Sequence, residues 1–185
     1  MLSFWEKTQL TQFDLVVVGG GLVGLSTAIH YRKANPKARI ALLERGVLPS
    51  GASTKNAGFL CFGSIDELSD HLHEMTQDEM LALVERRYRG GLRLRKLLGD
   101  QRIGYEPCGG FELHSDSVDH DVIDGFNELL NPLFGEDVYE DVTQDVPQKG
   151  FSTDLVSSLI CNHFEGVIHT GKMIRAYQEL ALEHG

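Results

Sequence analysis

The chain has 185 residues, 42% of them hydrophobic and 24% charged, with a formal net charge of −10. That length and composition support one domain with a core of its own and room for an added lobe. The acidic balance argues against non-specific nucleic-acid binding, which needs clustered positive charge.

The opening MLSFWEKTQLTQF carries charge at Glu6 and Lys7 and lacks the apolar core of a signal peptide. No apolar run approaches membrane-spanning length. Leu15 to Val18 is a short, wholly apolar run, the pattern of a strand covered on both faces. From Leu22 to Lys33 the spacing of Leu22, Leu25, Ala28, Ile29 and Arg32 predicts a helix, ended by Asn35 and Pro36. ARIALLE, residues 38–44, reads as a second buried strand. Strand, glycine turn, helix and strand together have the size of a βαβ unit.

Residues 49–64 read as a structured loop of glycine, serine and threonine. Two helices follow, at 66–74 and 77–98. The longer has Thr76 as its N-cap with Glu79 three residues on, and stops at Gly99. IGYEPCGGFELH reads as two short strands around a glycine turn. Val118 to Leu130 is expected as a helix stopped by Asn131 and Pro132, and 135–154 as acidic and irregular. LVSSLICNHFEGVI holds a further strand, and TGKMIRAYQELALEHG a last helix.

Gly19, Gly21 and Gly24 form G-x-G-x-x-G between the first strand and the first helix, and Glu44 ends the second strand twenty residues later. The first glycine permits the tight turn, the second lets backbone approach a pyrophosphate, and the third lets helix pack close to strand. The pyrophosphate would sit on the N–H groups at the helix start, around Leu22 and Val23. Glu44, followed by Arg45, would accept hydrogen bonds from the adenosine ribose and would disfavour a 2′-phosphate. The pattern by itself does not separate FAD from NAD, and a non-catalytic α/β partner module stays open as a third reading.

VVVGGGLVGLSTA, LLERG and GASTKNAGF together resemble the amino-terminal part of the FAD-dependent amine oxidoreductases, the group of D-amino-acid oxidase, glycine oxidase and sarcosine oxidase. EGVIHTGKMIRAYQELALEHG is similar to that family's strand-into-helix motif. The resemblance implies an α/β fold: a Rossmann-like FAD-binding βαβ unit over 1–65, part of an α+β substrate lobe over 66–165, and a helix over 166–185 leading back. It implies oxidation of the C–N bond of an amine or amino acid, with hydride passing to the flavin and the resulting imine hydrolysing.

The cofactor set implied is Gly19, Gly21, Leu22, Val23, Gly24, Glu44 and Arg45, joined by Ser53, Thr54, Asn56, Ala57 and Gly58. In the resemblance, residues 51–59 run past the pyrophosphate towards the flavin ring. Ser53 and Thr54 then offer hydroxyls, Ala57 and Gly58 allow close approach, and Lys55 supplies positive charge. Asn56 stands where some relatives attach FAD through a histidine, so FAD is expected to be non-covalent. Family members are longer than this chain, so it is read as an amino-terminal portion with an incomplete sheet. An open sheet edge invites pairing, which makes a homo-oligomer or a missing carboxy-terminal half the expected partner, beside the small-molecule substrate.

Other groups carry less. Arg86, Arg87, Arg89, Arg93, Arg95 and Lys96 read as a solvated helix face. His71, His73 and Glu74 do not share a helix face in the way a metal site needs, so no metal ligand is assigned, and no catalytic residue either. Cys61, Cys108 and Cys161 are odd in number and without metal-ligand spacing. They read as free thiols in a reducing, cytoplasmic compartment.

Overall fold

The computed structural model describes residues 1–184. A short helix α1 (Phe4–Leu10) opens the chain, closed by a reciprocal capping box between Ser3 and Glu6. Next come β1 (Leu15–Val18), α2 (Leu22–Ala34) and β2 (Ile40–Leu43), the expected βαβ unit, and a 3₁₀ turn at Ala52–Thr54. The chain continues through β3 (Phe59–Leu60), α3 (Ile65–Glu74), α4 (Gln77–Leu98), α5 (Asp100–Ile103) and β4 (Gly110–His114). It ends with α6 (His120–Phe134), β5 (Tyr139–Asp141), β6 (Ser158–Asn162), β7 (Gly166–Val167) and α7 (Thr170–Glu183). Three small open sheets result: parallel β1–β2, antiparallel β3–β7, and an antiparallel sheet in the order β4-β6-β5. Among the described residues no helix is long and apolar enough to cross a membrane.

The chain divides into two compact units. The first takes Met1–Gly58, Leu98–Gly104 and the segment from His169 onward. Leu15 to Val18 pair in register with Ile40 to Leu43, and α2 packs on both strands and on α7. Val17, Leu25, Ala28 and Ile29 are buried here with Met173, Ile174, Ala176 and Tyr177 of α7. The sequence suggested a strand covered on both faces, but β1 is covered on one. Val17 turns to the helix side, while Val16 and Val18 are 51% and 84% exposed. A two-stranded sheet offers nothing to cover the second face. Arg39 fixes α1 to this unit through bonds to the Thr8 and Gln9 carbonyls.

The second unit takes Phe59–Leu97 and Tyr105–Ile168. Its core gathers Phe62, Ile65, Leu68, Met80, Val84, Ile123, Phe126, Leu130, Tyr139 and Ile160. These come from the turn before α3, from α3, α4 and α6, and from one face of the β4-β6-β5 sheet. Thr76 and Glu79 exchange the capping bonds that start α4, and Gly99 follows it at φ +87°.

Three expectations are corrected in this unit. Pro132 does not stop α6, which runs to Phe134 and closes at Gly135 in the left-handed conformation. The proline deprives only Glu128 of its helical donor, and that residue is exposed to water, while Leu133 and Phe134 still pack on the core. The stretch 103–114 contains one strand, with Glu106 making only an isolated bridge to Val167. The acidic segment after 135 contains β5, paired with β6 from Tyr139↔Asn162 to Asp141↔Ile160.

Candidate functional site

The carboxyl ends of β1 and β2 open into a concavity of about 290 Å³. It is lined by Val18, Gly19, Gly21, Leu43, Glu44, Arg45, Pro49, Ser50, Gly51 and Ser53. Gly19 turns the chain out of β1 at φ +104°, a conformation that favours glycine, and its N–H donates to Leu43 O at 2.7 Å. A Cβ on Gly24 would run into the Gly19 carbonyl and stand 3.2 Å from Val17 Cγ1, so the third glycine sets the helix–strand spacing. A Cβ on Gly21 would lie 2.9 Å from Ser53 Oγ.

Ser53 Oγ accepts from the Leu22 N–H at 3.0 Å and caps α2 from 31 residues away, because the N-cap residue Gly21 has no side chain to do so. The Val23 and Gly24 N–H groups complete the donors of a first helical turn, which an anion completes readily. Glu44 Oε2 accepts from Gly20 N–H at 2.8 Å, and Oε1 from Gly46 N–H at 3.2 Å. These bonds, Gly20's first, hold its carboxyl below the usual carboxylate range. A carboxylate has about four acceptor positions, so Glu44 keeps capacity for hydroxyl donors such as a ribose. The glycine floor, the helix-mouth donors and this carboxylate have the shape and chemistry that a dinucleotide's pyrophosphate and ribose require.

The concavity thus collects Gly19, Gly21, Glu44, Arg45 and Ser53 of the expected set, with Leu22 bonded to Ser53. The rest of the set lies elsewhere. Thr54 Oγ1 donates to Gly51 O at 3.1 Å. Asn56 donates to Ala52 O and Ser53 O and accepts from Gly58 N–H at 3.0 Å. Val23 and Ala57 are exposed, whereas Gly58 is buried at φ +84°. Pro49 and Ser50 join the lining although the sequence reading did not single them out, beside Gly51 at the head of the 51–59 run. Their place between Glu44 and Ser53, which both face the concavity, was the available signal.

The family model described as DAO, FAD dependent oxidoreductase, matches residues 14–185. The chain belongs to this family. The family's cofactor is FAD, so the choice that the glycine pattern left open between FAD and NAD falls to FAD. Glycine oxidase from Geobacillus kaustophilus is 41% identical over 49 residues, 26% of this chain and 12% of its own length. L-2-hydroxyglutarate dehydrogenase from Escherichia coli K12 is 42% identical over 52 residues, 28% of this chain and 12% of its own. In structure, the chain is similar to G. kaustophilus glycine oxidase with a TM-score of 0.59 at 24% identity, covering 94% of this chain and 45% of that one. L-proline dehydrogenase from P. horikoshii matches with a TM-score of 0.65 at 19% identity, over 94% and 42%. The chain therefore spans less than half the length of these two solved proteins.

The remaining sequence candidates find ordinary structural work. Arg87 donates to Phe62 O and to Glu67, Arg89 pairs with Glu85, and Arg95 lies over the Tyr105 ring. His71 pairs with Glu67 at 3.3 Å. Among the described residues no group of three or more His, Cys, Asp or Glu is placed to hold a metal, and all three cysteines are free thiols.

Proposed function

We propose that the concavity at the ends of β1 and β2 holds the ADP portion of a non-covalent FAD, and that the whole protein oxidises the C–N bond of an amine or amino acid. The observation that carries the reading is the Gly19–Gly21–Gly24 turn closed by Ser53 and Glu44, within a chain belonging to the FAD dependent oxidoreductases. When bound, FAD supplies the two-electron acceptor. The chain's own groups bind and orient it. With FAD bound, the Val23 and Gly24 N–H groups would face the pyrophosphate beside Ser53, which holds the Leu22 N–H, Glu44 would take ribose hydroxyls, Arg45 would add charge at the rim, and Thr54, Asn56, Ala57 and Gly58 would lead towards the flavin.

Residues 1–65 are assigned as the FAD-binding portion, 66–165 as part of the substrate lobe, and 166–185 as the helix returning to the first. The amine substrate is supported by the neighbours named glycine oxidase and L-proline dehydrogenase. Non-covalent binding is supported by Asn56, whose carboxamide is not a nucleophile and is already engaged by backbone. The exposed apolar face of Val16, Val18 and Leu43 supports a covering partner, either further chain or a second copy. Three free thiols support a reducing compartment, hence the cytoplasm.

A second reading is favoured by the E. coli relative named L-2-hydroxyglutarate dehydrogenase: oxidation of the C–O bond of a 2-hydroxy acid. The first test is the visible spectrum of the purified protein after FAD is added and the unbound excess removed, followed by acid precipitation. A retained flavin band released into the supernatant supports the reading; a band that stays with the pellet refutes non-covalent binding. Anaerobic bleaching of that band by amino acids or by 2-hydroxy acids then decides between the two substrate classes.

A further inference from the structure

Strand β4 buries the residues that a strand ordinarily exposes. Alternation along it turns Phe111 and Leu113 outward, 39% and 45% exposed, and Glu112 and His114 inward, with side chains 16% and 11% exposed. The reason lies in one turn of the second unit, Phe62–Ile65, whose backbone is held by side chains from four other elements. Ile65 N–H donates to both Glu112 oxygens, at 2.9 and 3.1 Å. Phe62 N–H donates to Glu165 Oε1 at 3.0 Å. The Arg87 guanidinium donates to Phe62 O at 3.0 Å, and the Tyr139 hydroxyl to Gly63 O at 2.7 Å. Gly110 leaves the room that the Glu165 carboxylate occupies, since a Cβ there would overlap it.

We propose that Glu112 and Glu165 form a proton-operated clasp on the Phe62–Ile65 turn, closed when Glu112 is protonated and loosened when both carboxylates are ionised. A carboxylic acid still offers its carbonyl oxygen to the Ile65 N–H, so the protonated clasp keeps its bond. The ionised one adds a second negative charge to a buried place. The groups facing Glu112 are Glu165 from the β6–β7 turn, Asp66 and Glu67 from α3, His114 on β4 itself and Tyr139 from β5, while Arg87 of α4 reaches Glu67 and the turn itself.

Burial pushes the Glu112 carboxyl up to about 7; the Ile65 N–H opposes this, while Glu165, Asp66 and Glu67 add to it. Burial likewise raises Glu165, and it raises Tyr139, which stays a neutral donor. His114 Nε2 stands 3.5 Å from Glu112 Oε2, and its Nδ1 3.5 Å from the exposed Asp66. The clasp lies wholly within the second unit.

Amide hydrogen exchange over residues 62–65 tests this, with rates corrected for the intrinsic pH dependence of exchange. A carboxyl near 4.5 when the turn is open and about 7 when closed gives about a tenfold loss of protection between pH 6 and pH 8. E112Q, which keeps an acceptor for Ile65, should hold its protection constant across that range, and E165Q should reduce the loss. Equal protection at both pH values in the wild type overturns the proposal, as does an undiminished loss in E112Q. Should E112Q fail to fold by circular dichroism, the wild-type profile and E165Q decide. No flavin is needed, so failure here leaves the FAD reading untouched.

Discussion

Gly24 and Gly90 both sit inside helices, yet the same change to alanine should move stability in opposite directions. Alanine gains about 1 kcal/mol over glycine at a helix interior. At Gly90, on the exposed side of α4, nothing lies within 4 Å of a new Cβ, so Gly90→Ala should keep that gain. At Gly24 the new methyl meets the Gly19 carbonyl, with Val17 Cγ1 at 3.2 Å. Gly19 cannot step aside, because its N–H is bonded to Leu43 O and its φ is +104°.

Helix α2 must then lift off β1, an overpacking cost of about 3 kcal/mol at the upper end of the usual range because the obstacle is backbone. Set against the helix gain of about 1 kcal/mol, Gly24→Ala should destabilise by about 2 kcal/mol. With a urea slope of about 2 kcal/mol/M, the midpoint falls by about 1 M. Urea titration followed by circular dichroism reads both variants. A Gly24→Ala midpoint at or above wild type would refute the close-packing role given to the third glycine.

Two further outcomes follow from buried polar groups. Asn127 accepts from the Val138 and Tyr139 N–H groups and donates to Tyr139 O, all between 2.8 and 2.9 Å and buried. Asn127→Ala orphans three backbone groups and should cost about 3 kcal/mol in urea titration; a loss below about 1 kcal/mol would mean that water replaces the amide. Glu112 sets a pH dependence of known sign. Its folded-state carboxyl lies above the unfolded value, so its contribution is fully present below about 4.5 and is lost as pH rises through about 7. Stability should fall by about 1.4 kcal/mol between pH 6 and pH 8 in wild type and stay level in Glu112→Gln; a rise across that range would contradict the assignment.

Much of the first unit could be read from the chain itself. Leu15–Val18 reads as a strand from its composition, and Gly19 and Gly24 meet steric needs that no other residue satisfies. Thr76 and Glu79 marked the start of α4 because their bonds are local, and Ser3 and Glu6 carried the same signal for α1, which the sequence reading passed over. What was not legible depends on distant partners. Ser53 caps α2 across 31 residues, and no local pattern announces that. Pro132 was read by its usual effect on helices, which an exposed carbonyl and the packing of a half-buried Phe134 on the core outweigh. Glu112 and His114 alternate with Phe111 and Leu113 as in any amphipathic strand; periodicity gives two faces but not which is inside. The acidic segment after Gly135 hid β5 because its pairing comes from β6, further along the chain.

The central claim is that the glycine cradle, with Glu44 and Ser53, holds FAD. Its most direct test is a titration of FAD fluorescence with the wild-type protein and with Gly21→Ala. The new methyl in that variant meets only the movable Ser53 hydroxyl, so the fold should persist while the approach to the pyrophosphate narrows. The account predicts saturable binding to wild type, displaced by ADP, and at least about tenfold weaker binding to the variant, about 1.4 kcal/mol. Equal affinity for both proteins, or binding that ADP does not displace, would contradict it.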